Sequence, residues 1–329
     1  MRDGLLPIGV VGVGSLGYHH ARILRDVPGA RVAGIHDSDP ERLAKVAGQL
    51  ELRAFASLED LLDEAGAVVV AVPTTDHARV ALAAIERGVH VLIEKPIATS
   101  LAEADQILGR AKEAGVLVAT GHVERFNAAV RACEPYVDSP RFIESHRLAP
   151  FGPRGTDVAV VLDLMIHDID LVLGLARTGV AQVDAVGVPV LTPSVDIANA
   201  RLRFEGGAVA NITASRVSRE RMRKIRVFQP SGYLSLDLAN GTGEFLRLRE
   251  GVELGKLAEG ALQLEHIIER IEFRGDEQEP LRAELESFVA AVRGEGEVVV
   301  SGEDGRRALE VALEIVEKTQ SYVTDPSTA

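Results

Sequence analysis

Tryptophan is absent from the 329 residues, and all aromatics together make up 4%. Aromatic platforms that stack on sugars or bases are built from such side chains, so neither surface is expected. A single cysteine, Cys133, excludes an internal disulfide framework and any zinc site made of cysteines. Long apolar runs are missing as well. The longest, such as Ala67–Pro73, stop far short of the roughly 18 residues a membrane helix needs. Positive charge is in deficit, 36 Lys and Arg against 49 Asp and Glu for a net charge of −13, which disfavours nucleic acid as a partner. The opening MRDGLLPIGVVG lacks the long apolar core and small-residue cleavage site of an export signal, so a cytoplasmic protein is expected.

With 46% hydrophobic and 26% charged residues, the chain has the balance of a folded globular protein, long enough for two domains. The first part alternates strand and helix. Strands are expected at Pro7–Val11, Arg31–Ile35, Ala67–Val72, His90–Ile93 and Val116–Thr120. Helices are expected at Ser15–Val27 (apolar at Leu16, Ile23 and Leu24), Pro40–Leu50, Leu58–Glu64, Thr75–Arg87 and Ser100–Glu113. This predicts a doubly wound parallel sheet over residues 1–122.

From residue 123 to 329 the texture changes. A strong helix at Val158–Leu175 is followed by strand-like runs at Gln182–Val190, Ile197–Glu205, Ala208–Ser215, Lys224–Gln229 and Gly232–Asp237, with a Gly206-Gly207 hairpin signal. Strands without intervening helices imply a largely antiparallel sheet. Residues 140–157 and 240–275 read as loops, Glu279–Arg293 and Gly302–Gln320 as helices, and TDPSTA as a frayed tail.

Gly12-Val-Gly14-Ser-Leu-Gly17 follows the first strand and opens a helix. Gly12 permits the tight turn, Gly14 the approach of backbone to a pyrophosphate, and Gly17 close packing of helix on strand. Asp37, twenty residues past Gly17, ends the second strand, where a carboxylate accepts from a ribose 2′-hydroxyl and repels a 2′-phosphate. The expected cofactor is NAD rather than NADP. Asp39 reads as a helix cap, and Arg42 is placed to approach a phosphate.

Glu94-Lys95-Pro96 comes straight after the strand VLI, and Asp163-Leu-Met-Ile-His167 follows later. With the glycine turn, these motifs resemble the glucose–fructose oxidoreductase / inositol dehydrogenase / MocA family over nearly the whole chain. GHVERFN (121–127), HRLAPFGPRGTDV (146–158), VLDLMIHDIDLVL (161–173) and TASRVSRERMRKIRVFQ (213–229) resemble its branch of UDP-N-acetylglucosamine 3-dehydrogenases associated with lipid A biosynthesis. The chain departs from the family pattern at Met165, where many members carry glycine, and at Ala128, where proline is expected.

The resemblance implies a Rossmann domain plus a substrate-binding α/β domain with an open, mainly antiparallel sheet, assembled as a homodimer or homotetramer. Oxidation of a nucleotide sugar at C3 would precede amination by a partner aminotransferase. The implied cofactor-binding residues are Gly12, Gly14, Ser15, Leu16, Gly17, Asp37, Arg42, Pro73, Thr74, His77, Glu94 and Lys95. Those implied for the substrate are Glu124, Arg125, Asn127, Arg154, Asp163 and His167.

Alcohol oxidation needs a base, support for a developing alkoxide, and a hydride acceptor. Lys95 lies past a strand's C-terminal end, where ligands of open α/β sheets bind, and its ammonium can stabilise the reacting oxygen. Pro96 stiffens that turn. Asp163 and His167, four apart, share one face of a helix otherwise apolar nearly all round. His167 is assigned as general base, and Asp163 binds substrate or positions the imidazole. Lys95 and His167 are expected to converge on one oxygen.

Asp163, His167 and Asp170 have spacing compatible with a metal, but the family implies none. Asp168 and Asp170 are expected to tie the helix to its surroundings. Arg216, Arg219, Arg221, Arg223, Lys224 and Arg226 form a basic run. It reads as a solvated sheet face or subunit contact, or as a clamp for the substrate diphosphate, with Arg125, Asn127, Arg147 and Arg154 as competitors for that task. The alternatives to a nucleotide-sugar dehydrogenase are a dehydrogenase of a free sugar or inositol, and a non-catalytic NAD-binding redox sensor.

Overall fold

The computed structural model describes residues 4–152, 158–250 and 267–324. The described residues fall into two compact units. One comprises residues up to Phe126 with Gln278–Glu310, the other Asn127–Glu277 with the chain from Val311 onward.

The first unit holds a five-stranded parallel sheet: β1 (Leu6–Val11), β2 (Ala30–His36), β3 (Ala67–Val70), β4 (His90–Glu94) and β5 (Val118–Gly121), in the order β2-β1-β3-β4-β5. All four residues of β3 are fully buried, as its unbroken apolar run implies for a central strand covered on both faces. Helices at Ser15–Leu24, Pro40–Leu50, Leu58–Glu64, Thr74–Ile85 and Leu101–Ala114 connect the strands. Three of them begin at side-chain caps, where Asp39, Ser57 and Ser100 accept backbone N–H bonds. Leu16 departs from its expected place on the apolar face: it is 43% exposed on the first turn of its helix, while Ile23 and Leu24 are buried. Helix Pro280–Val292 also belongs to this unit, its Leu281, Leu285, Phe288 and Val289 joining the core around β1.

The second unit is built on an eight-stranded sheet. Its strands are β6 (Phe142–Leu148), β7 (Val180–Val188), β8 (Ile197–Phe204), β9 (Val209–Ser215), β10 (Met222–Gln229), β11 (Gly232–Asp237), β12 (Thr242–Leu248) and β13 (Ile268–Arg274). The order is β13-β12-β11-β10-β6-β9-β8-β7, antiparallel throughout except for the parallel pair β6–β9. Alternate residues such as Ala200, Ile212, Ile225 and Leu234 form its buried face. The other face is polar, with Arg226 on Glu144 and Asn199 on Thr213.

Three of these strands replace segments read as loops. In β6 the inward positions are Ile143, Ser145 and Arg147, so two polar residues hide the alternation. In β12 and β13 the pattern is masked because the strands are half-exposed and held by cross-strand ion pairs, Arg247 with Glu269 and Arg270 with Glu244, each 2.7 Å. A short helix, Ala128–Cys133, was likewise not expected. Asn127 caps it, and Ala128 takes the first helical position, one that accommodates proline. Among the described residues no helix is long and apolar enough to cross a membrane.

Candidate active site

Each glycine of the turn after β1 is there for a different reason. Gly12 has φ +84°, and a Cβ on it would lie 2.7 Å from the backbone of Ala71 and Val72. A Cβ on Gly17 would lie 1.8 Å from the Gly12 carbonyl oxygen, so helix and strand pack backbone to backbone. Beside Gly14, by contrast, a Cβ would meet nothing within 4 Å. The helix opens without a side-chain cap, the arrangement that favours an anion.

A cavity of about 310 Å³ begins here, lined by Gly12, Gly14, Asp37, Arg42, Val72 and Pro73 among others. Open space at Gly14 and a carboxylate at the end of β2 fit the phosphates and ribose of a dinucleotide. Asp37 is 7% exposed. Its Oδ2 accepts the Val13 N–H at 2.8 Å and its Oδ1 the Asp39 N–H at 2.9 Å, which fixes the carboxylate against the turn. Arg42 lies 3.5 Å from Asp37 and 3.2 Å from Asp39. It is thus engaged by two carboxylates at the rim rather than standing as a dedicated phosphate ligand. Ser15 and Leu16 are exposed on the first helical turn, Pro73 is exposed and Thr74 half-buried where β3 passes into its helix.

Lys95 is half-buried, just past the end of β4, and its peptide bond to Pro96 is cis. Two buried side chains hold this turn. His77 sets Nδ1 2.9 Å from the Pro96 carbonyl oxygen and Nε2 3.0 Å from that of Val72. Burial pushes its pKa down, outweighing the pull of those two carbonyls in the opposite direction. A neutral imidazole has one N–H, so it donates to one carbonyl at a time. Glu94, 7% exposed, places Oε1 2.6 Å from His20 Nε2 and accepts the Lys95 N–H through Oε2 at 3.2 Å. Both residues were expected at the cofactor; in the structure they bond the backbone at Val72, Lys95 and Pro96 and the side chain of His20.

In the second unit, Asp163 does not lie on the expected regular α-helix. Residues Val161–Met165 form a π-helical turn, closed by the Ile166 N–H on the Val161 carbonyl, and the α-helix proper runs from Ile166 to Ala176 with His167 in its first turn. Such widened turns recur at functional sites. Asp163 and His167 are half-buried, whereas Val160, Val161, Met165, Ile166 and Ile169 are fully buried beneath them. Asp168 anchors the helix on β6: it lies 2.6 Å from Arg147 and accepts from Ser145 Oγ at 2.9 Å, all three buried. Asp170 is buried as well.

This removes Arg147 from the competitors for a diphosphate, since its guanidinium is committed to a buried ion pair. Arg216 is removed on the same ground. It is 4% exposed, donates to the Val158 and Val195 carbonyls, and sits 3.4 Å from Asp196. Arg219, Arg221, Arg223 and Lys224 are exposed, and Arg226 pairs with Glu144. Asn127 caps the helix Ala128–Cys133 and donates to the Leu238 carbonyl at 2.9 Å. Glu124 is buried in the first unit and Arg125 half-buried; Arg154 lies outside the described residues. Cys133 is buried and its thiol pushed up to about 12 by that burial, so it offers no nucleophile.

Sequence reasoning missed His20 and Glu284. The second carried a readable signal: in Pro280–Val292 it occupies the same helical stripe as Leu281, Leu285 and Phe288, a core position held by an acid.

Residues 6–122 match the model of an oxidoreductase family with an NAD-binding Rossmann fold, and residues 120–235 match the GFO/IDH/MocA C-terminal domain. The UDP-N-acetylglucosamine 3-dehydrogenase of Acidithiobacillus ferrooxidans is 37% identical over 96% of this chain and 97% of its own. The chain belongs to the GFO/IDH/MocA family. Its fold follows that of the same A. ferrooxidans enzyme, with a TM-score of 0.88 at 36% identity over 97% of this chain and 99% of that one. The myo-inositol 2-dehydrogenase of Thermotoga maritima is more distant, 28% identical over 92% of this chain and 93% of its own. As a GFO/IDH/MocA oxidoreductase, the protein is a dehydrogenase that uses a nicotinamide cofactor.

Proposed function

We propose that the protein oxidises the C3 hydroxyl of UDP-N-acetylglucosamine to the 3-keto sugar with NAD⁺. The observation that carries this reading is 37% identity, sustained over 96% of the chain, to a UDP-N-acetylglucosamine 3-dehydrogenase. Asp37 supports NAD over NADP, because its buried carboxylate meets a 2′-phosphate with like charge.

The turn Gly12–Gly17 and Asp37 would hold the dinucleotide, whose nicotinamide would supply the hydride acceptor. His167 takes the hydroxyl proton, a task suited to a half-buried imidazole. Lys95 is assigned to stabilise the charge that develops on the alkoxide. Asp163 orients the sugar or the imidazole. The proton leaves for the imidazole, the C–H electron pair leaves as hydride, and a C=O bond remains. Homo-oligomeric assembly, a cytoplasmic location and hand-over of the ketone to an aminotransferase belong to the same proposal.

The test uses UDP-N-acetylglucosamine deuterated at C3. Deuterium appearing in the reduced cofactor supports the reading, and unlabelled NADH from this substrate contradicts it. A second reading, oxidation of an inositol, has the T. maritima relative in its favour; it would show as NADH formation with myo-inositol in the same assay.

A further inference from the structure

Beneath the Glu94-Lys95-Pro96 turn lies a sealed cluster of His20, Glu94 and Glu284. They are 0%, 7% and 2% exposed, and one ring nitrogen or carboxylate oxygen from each lies within 4.8 Å of the others. Both carboxyl oxygens of Glu284 are buried without a hydrogen-bond partner among the described residues. A fully buried ionised carboxylate in that state is costly, and more so beside another.

Two readings of the cluster differ in what sits between the groups. A metal would have to part His20 from Glu94, yet His20 Nε2 and Glu94 Oε1 stand 2.6 Å apart, the separation of a direct hydrogen bond. That bond uses one oxygen of Glu94, and the Lys95 N–H uses the other. Two cations on neighbouring elements have acids of their own. In helix Ser15–Leu24, Arg22 pairs with Glu279, and in the turn Val123–Phe126 Arg125 faces Asp304. The same turn brings the buried acid Glu124. With two buried carboxyl groups this close together, a proton on one of them keeps the buried charge low. Burial and, after it, the charge of Glu94 both push the Glu284 carboxyl well up, which makes Glu284 the group that keeps it.

We propose that Glu284 is a positioning residue held as the neutral acid, donating its proton to Glu94 so that Glu94, clamped between Glu284 and His20, fixes the backbone that carries Lys95. The two carboxyl groups come within 4.8 Å through one oxygen each, and the shared proton requires them to close to hydrogen-bond distance. Gly121 leaves room for this arrangement, since a Cβ there would lie 3.1 Å from Glu94 Oε2. The link to turnover rests on the role given to Lys95 above, while the proton itself is readable without any substrate.

The experiment compares wild type with Glu284→Gln, a neutral isostere, and Glu284→Leu. Thermal midpoints are measured between pH 4 and pH 9, and kcat and KM are measured with NAD⁺ and UDP-N-acetylglucosamine. A carboxyl raised on folding costs stability as pH climbs from its ordinary value of 4.5 toward its folded value. The wild-type midpoint should therefore fall progressively below that of Glu284→Gln over this range and match it near pH 4. Parallel curves would overturn the proposal.

Glu284→Gln should keep kcat within about threefold, whereas Glu284→Leu should lose about tenfold or more in kcat with KM for NAD⁺ little changed, the mark of a displaced group rather than a lost binding contact. Full activity in Glu284→Leu, or equal loss in both variants, overturns the positioning role. Calorimetry with Zn²⁺ alone adds a third arm: binding by wild type that Glu284→Gln abolishes would make the cluster a metal site and end the proposal. Were wild type inactive on the sugar, the function above would fail while the midpoints still decided the proton.

Discussion

The two motifs assigned to the chemistry are held in place by opposite means. In the first unit, Lys95 sits in a turn whose backbone is pinned by polar groups, His77 at the Pro96 carbonyl and Glu94 at the Lys95 N–H. In the second, Asp163 and His167 ride on a π turn and helix end set on packed apolar side chains, with one buried ion pair, Arg147–Asp168, fastening the helix to β6. A turn held by directed bonds has one geometry or none. A helix held by packing tolerates substitution until a void or an unpaired charge appears beneath it. The side chains proposed to touch substrate should thus respond alike in the two units, and their supports should respond differently.

The largest effect is expected at the two residues proposed to act on the hydroxyl. Lys95→Ala and His167→Ala should each lower kcat by about 10²–10⁴-fold, with NAD affinity within a few-fold of wild type by calorimetry. Loss of cofactor affinity in His167→Ala would make that histidine structural and break the comparison. Next come the supports of the second unit. Asp168→Ala breaks the buried ion pair with Arg147 and should cost roughly 3–5 kcal/mol in denaturant unfolding. Met165→Ala should cost about 2–5 kcal/mol by opening a void under the π turn.

A smaller change is expected at Asp37. Asp37→Ser removes the carboxylate and frees Arg42 from one of its two partners, so the preference for NAD⁺ over NADP⁺ should fall by about tenfold, near 1.4 kcal/mol, in kcat/KM.

The smallest is an acid effect confined to the second unit. Burial raises the Asp196 carboxyl, but the N–H groups of Leu191, Thr192 and Val190 with the Thr192 hydroxyl overcome it and hold the pKa at about 2, below its ordinary 3.8. A depressed carboxylate contributes stability that is present above 3.8 and lost as pH falls through 2. Asp196→Asn should flatten the acid limb of stability there, and an unchanged limb would assign acid unfolding to other groups.

Legibility in the sequence followed the same division. The parallel sheet, the glycine turn and the cap at Asp39 were readable because each follows from local rules: a buried apolar run, a backbone that excludes Cβ at Gly12 and Gly17, and a side chain bonding N–H groups two and three residues on. What stayed hidden depended on distant partners. Ser145 and Arg147 point inward in β6 because Asp168, more than twenty residues away, receives them. The strands β12 and β13 carry charges paired across to each other, and their few apolar residues, Phe245 and Phe273, pack on the distant Tyr136. Arg216 looked like part of a basic surface because its acceptors, the Val158 and Val195 carbonyls and Asp196, are brought to it by the fold.

The central claim is that a UDP-linked amino sugar is the alcohol this dehydrogenase oxidises. Its most direct test is the initial rate of NADH formation by the purified protein with NAD⁺, comparing UDP-N-acetylglucosamine, myo-inositol and free hexoses at equal concentration. The account predicts NADH with the nucleotide sugar and rates at background with the others. Faster reduction by myo-inositol or a free hexose, or none with the nucleotide sugar, would contradict it.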